Sequence, residues 1–137
     1  MSDNVHVLAP AGVAPGNGYS QVAWGTGRLI TVAGQIALDE HGELVGVGDP
    51  AAQAEQVFEN IRRCLVAAGA GFDDVLKLTF FLTDLAHLPA IRAARDAVFD
   101  AERLPTCSAL VVAALVRPEF LFEIEALAVV PATAGQG

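Results

Sequence analysis

The chain reads FLFEIEALAVV from Phe120 to Val130, and this stretch decides the fold class. Successive side chains of a β-strand point to opposite faces, so its even-numbered apolar residues predict one core-facing side. Glu123 and Glu125 fall on the other side, roughly 7 Å apart. A buried carboxylate needs a partner or a proton, so we expect this strand to carry a site or an interface as well as a core.

The preceding residues predict further strands and two helices. Asp49 and Pro50 are typical of a helix start, and apolar residues at helical spacing follow them. A second helix is predicted around residues 88–99. The residues expected to face inward from it are Leu88, Ile91, Val98 and Phe99. Strands are predicted over residues 19–24, 28–34, 76–82, 107–116 and 120–130.

This order of elements predicts an α+β fold in a single domain, with one mixed β-sheet and two helices packed on one face. The turn Gly25–Gly27 is expected to join the first two strands as a hairpin. Residues 1–17, rich in Gly, Pro and Ala, are interpreted as an extended arm, and residues 131–137 as a flexible tail.

Composition narrows the classes of partner. The chain has 137 residues, a formal net charge of −8 and 53% hydrophobic residues. This apolar content favours an oligomer, and the acidic balance makes nucleic acid an unlikely partner. No apolar run approaches the roughly 18–20 residues of a membrane helix, so no membrane partner is expected. Two cysteines and an N-terminus without a signal pattern fit a cytoplasmic location.

Four short stretches resemble one known family when they are taken in order. They are Gly18-Tyr19-Ser20-Gln21, Val32-Ala33-Gly34-Gln35-Ile36, Phe80-Phe81-Leu82-Thr83-Asp84-Leu85 and Glu123-Ile124-Glu125-Ala126. The resemblance, over about residues 18–130, is to the RidA/YjgF family, also called the liver perchloric-acid-soluble protein family. It implies a chorismate-mutase-like fold, a homotrimer and ligand clefts between subunits. It also implies hydrolysis of reactive enamines and imines, such as 2-aminoacrylate, without a cofactor.

The same resemblance implies a set of site residues. In the family a Pro-Ala-Arg-Ser motif carries the arginine that binds the substrate carboxylate, and the matching stretch here is Pro105-Thr106-Cys107-Ser108. Cys107 therefore stands where the arginine would be. The implied catalytic residues are Cys107, Glu123 and Tyr19. The implied substrate-binding residues are Arg92, which matches an asparagine, Ala33, which matches a serine, Gly34 and Ser108.

Each of the main candidates also has a structural interpretation. Cys107 is either a nucleophile or polar cleft wall, or a small buried hydrophobe, whereas Cys64 belongs to a helical core stripe. Glu123 either orients a hydrolytic water or forms an ion pair at a subunit interface. Arg92 either supplies the missing cation or pairs with Asp96 one helical turn away.

Tyr19 is expected either to shield the cleft or to pack structurally. The three histidines are isolated and without ligand spacing, so no metal is expected. The leading functional hypothesis is hydrolysis, a deamination, of a reactive enamine or imine in a small metabolite, different from the standard 2-aminoacrylate activity. The alternative is non-catalytic keto-acid binding, or a stress-related interaction protein, on the same trimeric scaffold. The acidic net charge of the chain argues against a ribonuclease function.

Overall fold

The computed structural model describes residues 2–132, which contain six strands and two α-helices. The strands are β1 (Val5–Val7), β2 (Val22–Trp24), β3 (Arg28–Gln35), β4 (Val75–Leu82), β5 (Thr106–Val111) and β6 (Phe122–Val130). The helices are α1 (Pro50–Ala67) and α2 (Leu88–Val98), and short 3-10 turns span residues 72–74 and 85–87. None of the helices described is long and apolar enough to cross a bilayer.

The main sheet has the strand order β3-β6-β4-β5. Strand β6 pairs antiparallel with both neighbours, whereas β4 and β5 run parallel, so the sheet is mixed. Both helices contribute to one core against this sheet. The core residues of β6 are Phe122, Ile124, Ala126, Ala128 and Val130. The predicted α+β class and the alternation of the last strand are confirmed.

Helix α1 begins where its sequence signals predict. The Asp49 side chain accepts a hydrogen bond from the Ala52 backbone N–H at 3.1 Å, and Pro50 occupies the first turn, where its missing N–H costs nothing. The helix ends before Gly69, whose φ of +76° is readily adopted by glycine.

The N-terminal region differs from the prediction of an arm and a hairpin. Strand β1 pairs antiparallel with β2 in a separate two-stranded sheet, so Gly25–Gly27 joins two sheets and is not a hairpin turn. The Asn4 amide fixes this sheet by donating to the carbonyls of Asp74 (3.0 Å) and Val129 (2.9 Å). Residues 5–7 of the segment interpreted as an extended arm therefore form a paired strand. Most of the predicted tail, residues 133–137, lies outside the described residues.

Three details of the periodic segments also need correction. Strand β5 ends at Val111, five residues earlier than predicted. Val98 is exposed, and Arg95 takes an inward position on α2 instead. Strand β4 carries one extra residue against β6 between Val75 and Lys77, which buries Val75 fully. Bulges of this kind interrupt the alternation that sequence analysis assumes.

The sheet face opposite the helices exposes apolar side chains. Leu29 of β3 is 64% exposed, Leu110 of β5 46% and Leu127 of β6 38%. Glu125, on the same face, is also exposed. A face of this composition is typical of a surface that another chain covers.

Candidate functional site

The first candidate region, which we call the β5 corner, lies where β5 begins. The Ser20 N–H donates to the Pro105 carbonyl at 3.0 Å, and Ser20 forms a parallel bridge with Thr106. This places Tyr19 beside the start of β5. Its ring packs on Gly16 so closely that a Cβ there would lie 2.3 Å from a ring carbon. Only glycine at position 16 allows this ring position.

Arg95 is the charged residue of the β5 corner. It is 2% exposed, its Nε donates to Asp96 Oδ1 at 3.0 Å, and its Nη2 reaches the Asn17 carbonyl at 3.4 Å. Gly18 lies against the same end of the guanidinium. Its φ is +75°, and a Cβ there would lie 2.3 Å from Nη2. The backbone of residues 16–18, which we call the glycine strap, therefore lies directly on a buried cation.

Cys107 faces Arg95 because of the parallel register of β4 and β5. It is level with Leu78, a fully buried residue of the helix-covered face, and it packs half-buried against the core. Burial raises the pKa of the Cys107 thiol, and the nearby Arg95 guanidinium opposes this rise without cancelling it. A nucleophilic cysteine needs a populated thiolate, so the surroundings favour a cleft wall over a nucleophile.

The second candidate region, which we call the Glu123 corner, is built on a bulge. Between Val32 and Gln35, β3 carries one extra residue against β6. This brings Gly34 under the Glu123 side chain, and a Cβ on Gly34 would lie 2.1 Å from Glu123 Oε1. Ala33, in the same bulge, is exposed. Bulges often re-aim side chains next to active sites, and here the bulge makes room for a half-buried carboxylate.

The two corners do not meet within one chain. Cys107 is level with Leu78, Leu78 is level with Ala126, and Glu123 precedes Ala126 by three residues on β6. Two strand spacings and three residues separate their Cα atoms by roughly 14 Å. The two side chains also point to opposite faces of the sheet. The structure thus puts Tyr19 next to the start of β5, and Gly34 against Glu123, in two separate places.

The other expected residues take different positions. Ser108 is exposed on β5, next to Cys107 but on the opposite face. Arg92 is half-buried on α2, and the expected Arg92–Asp96 pair is wrong because Asp96 binds Arg95. Sequence analysis missed Arg95 because a charged residue was not expected to face inward. The available signal was spacing, since Arg95 follows Ile91 by four residues and precedes Phe99 by four.

A cavity of about 440 Å³ lies between the end of β3 and α1, next to Gln35, where the bulge of the Glu123 corner ends. Its lining includes Asp39, Glu59, Asn60 and Cys64. Cys64, which was predicted to belong to the helical core stripe, is only half-buried. Within residues 2–132, no group of three or more His, Cys, Asp or Glu side chains is arranged to hold a metal ion.

Comparisons with known proteins agree with this architecture. A family model described as Endoribonuclease L-PSP matches residues 10–130. The 3-aminoacrylate deaminase RutC of Acinetobacter baylyi is 35% identical over 89% of this chain and 95% of its own. The 2-iminobutanoate/2-iminopropanoate deaminase of Mus musculus is 36% identical over 88% and 85%. The crystal structure of the Rid family protein YyfB from Yersinia pestis has a TM-score of 0.85 and 35% identity over 93% and 99%. This chain therefore belongs to the RidA/YjgF family.

Proposed function

We propose that this protein hydrolyses a reactive enamine or imine of a small metabolite, in a cleft between the subunits of a homotrimer. The observation that carries the proposal is the separation of the two polar corners. Each corner holds part of a plausible site, and neither is complete within one chain. An assembly that sets the β5 corner of one subunit against the Glu123 corner of the next would unite them. The exposed apolar face of the sheet supports such an assembly.

The printed names of the relatives support the reaction class. Both name deaminases of small nitrogen-bearing carboxylic acids. In such a reaction an enamine first becomes its imine, water adds to the imine carbon, and the carbon–nitrogen bond breaks. Ammonia leaves and a carbonyl compound remains. The chemistry needs a positioned water and proton transfer, and no redox step.

The residues of the two corners suit these tasks. Glu123 is the proposed group that positions the water and accepts its proton, because its half-buried carboxylate is held against Gly34. Tyr19 shields the cleft from the β5 side, and Cys107 forms its wall. Ser108 and Ala33 are proposed substrate contacts from the strands, and Arg92 from α2.

The substrate range should differ from that of relatives with an arginine at the start of β5. Cys107 offers no fork of donors to a carboxylate attached directly to the imine carbon. We expect slow turnover of 2-aminoacrylate and faster turnover of larger imines. Turnover of 2-aminoacrylate comparable with that of an arginine-bearing relative, assayed alongside, would contradict this expectation.

The catalytic role of Glu123 has a matched control on the same strand. Glu123→Gln should lower kcat/KM for the best substrate by about 10²-fold or more, a typical cost of losing a general base. Glu125→Gln changes a carboxylate two residues away on the same sheet face, so it controls for effects on that face, and it should leave activity near wild type. Equal effects of the two substitutions would contradict the proposal. Keto-acid binding without any turnover across an imine panel would favour the non-catalytic alternative.

The position of the cleft between subunits can be tested by mixing. Glu123→Gln and Tyr19→Ala each damage a different corner. If each cleft uses one corner from each of two chains, subunits exchanged at random should restore activity in about a quarter of the clefts. If the mixed trimers are as inactive as the two parent variants, each site uses both corners of one chain. That result would refute a cleft built from the corners of two subunits.

A further inference from the structure

We infer that a groove between α1 and α2, which we call the helix groove, is a second binding site, and that it takes a small amine with one positive charge on an apolar, ring-bearing body. The groove encloses about 420 Å³ and is lined by residues of both helices and by Phe72. Small-molecule pockets usually measure about 300–1,000 Å³. The site is separate from both corners and does not depend on the proposed reaction.

The helix groove opens to solvent on the side of the helices away from the sheet. Ala51 of α1 and Ala93 of α2, which line it, are exposed. Val57 and Ile61, the α1 residues that are fully buried in the core, do not line it. The groove therefore stays accessible when another chain covers the exposed face of the sheet.

The α2 wall of the groove is apolar although it faces solvent. Exposed helix faces usually carry polar or charged side chains. Val98, which sequence analysis expected in the core, is 38% exposed and stands in this wall. Its apolar surface is removed from water only when the groove is occupied. The other α2 residues of the wall, at helical spacing, are Ala90, Ala93, Ala94 and Ala97.

The floor of the groove is aromatic. Phe58 of α1 is 2% exposed and meets the Phe99 ring edge-to-face, with 6.4 Å between the ring centroids. Phe99 in turn meets Phe72 at 5.0 Å. A ligand ring that lies on Phe58 and Phe72 would extend this cluster, and aromatic pairs of this kind add to the gain from burying area.

One carboxylate gives the groove its charge. Glu59 accepts a hydrogen bond from the Arg62 Nε–H at 2.9 Å, so the charges of these two lining residues balance. Glu55, one helical turn earlier, is exposed and takes part in none of the ion pairs formed within residues 2–132. The groove thus presents one unbalanced negative charge, which an ammonium group complements.

The spacing of this charge from the floor sets the length of the ligand. Glu55 and Phe58 are three residues apart on one helix, so their Cβ atoms are roughly 5–6 Å apart. In 2-phenylethylamine two carbons separate the nitrogen from the ring, so one molecule can reach both residues. A second ammonium group would lie toward Arg62, which disfavours a diamine.

Amide NMR titrations with 2-phenylethylamine, the neutral 2-phenylethanol and the acid 3-phenylpropionate test the charge. The amine should shift α1 and α2 amides of the groove with a Kd of about 10 mM or tighter, the weak limit for nine non-hydrogen atoms. The alcohol should bind less tightly and the acid least. Glu55→Gln should weaken the amine about 1.5- to 5-fold, the range for an exposed ion pair, and leave the alcohol unchanged. Glu43→Gln, at an exposed carboxylate outside both helices, should change neither.

Filling the groove tests its position. Ala93→Leu places a branched side chain in it from an exposed helical position, and it should weaken both the amine and the alcohol at least 10-fold. Ala97→Leu should do the same and replaces Ala93→Leu if that variant does not fold. Ala67→Leu makes the same change at an exposed position of α1 outside the groove and should bind like wild type.

Three results would overturn the inference. They are wild-type affinity in the filled variants, acid binding as tight as amine binding, and no shift of groove amides by the amine at about 10 mM. Groove amides that shift with protein concentration and not with the amine would identify a second copy of the chain as the occupant, which also overturns it.

Discussion

Replacing Gln53 by methionine should destabilise the fold strongly, although the side chain is neither charged nor part of a corner. Gln53 lies on α1 and is fully buried. Its Nε2 donates to the carbonyls of Gly46 (2.9 Å) and Glu119 (3.1 Å), and its Oε1 accepts from the Leu121 N–H (3.1 Å). One amide therefore ties the loop before α1 to the loop that leads into β6.

The magnitude follows from the number of bonds. Methionine keeps the length of the side chain but removes all three hydrogen bonds. Each net bond contributes about 1 kcal/mol, and each buried backbone group left without a partner costs about 1–3 kcal/mol. We expect Gln53→Met to lower the free energy of unfolding by about 3–5 kcal/mol. With a urea m-value of about 1–3 kcal/mol/M, the midpoint should fall by at least about 1 M.

Urea titration followed by circular dichroism measures this, with both proteins at the same subunit concentration because oligomers gain stability by mass action. Gln56→Met is the control, since Gln56 lies on the same helix and donates only to the Asn60 side chain, at 2.8 Å. It should cost about 1 kcal/mol or less. If Gln53→Met stayed within 1 kcal/mol of wild type, the reasoning from these three bonds would be refuted.

Four further outcomes are expected. Light scattering at micromolar concentration should give a trimer, and a stable monomer near 14 kDa would refute the assembly. Cys107→Arg alone should lower the free energy of unfolding by about 3 kcal/mol or more, because it puts a second guanidinium beside Arg95. Adding Arg95→Gln to the same chain should recover most of this loss, as measured by urea titration. Gly34→Ala should lower kcat in steady-state assays by moving the Glu123 carboxylate, and unchanged kcat would show that this contact is unimportant. Because the pKa of Cys107 is raised, less of its thiol is ionised at pH 7 than in a free cysteine. Mass spectrometry should therefore find slower iodoacetamide labelling at Cys107 than at Cys64. The labelling rate of Cys107 should also keep rising at pH values above the ordinary thiol pKa.

Much of the fold could be predicted from periodicity. The capped start of α1 and the alternation of β6 were correct because local signals and burial agree there. The pairing of β1 with β2 was missed because three residues are too few to show a period. The parallel register of β4 and β5, which turns Cys107 toward the helices, has no local signature at all.

The candidate site was harder to predict from the sequence than the fold. The resemblance pointed to Glu123 and Tyr19, but the bulge that seats Glu123 over Gly34 depends on how two distant strands align. Arg95 was missed because burying a guanidinium is costly, which makes an inward arginine an exception to the pattern. A charged residue on an otherwise apolar stripe was therefore the informative signal.

The place of β6 in the sheet has a consequence for how the protein is made. Among the six strands of residues 2–132, β6 comes last in sequence, yet it lies between β3 and β4 and pairs with both. A growing chain cannot assemble the sheet until residues 122–130 have been synthesised. Until then β3 has no partner in the main sheet, and β4 has a free edge on the side away from β5, and chaperones or neighbouring nascent chains can bind these edges. The pairing of β6 with β3 and β4 is also slow to form, because these strands are distant in sequence. Misassembly is therefore possible from translation until β6 has inserted between them.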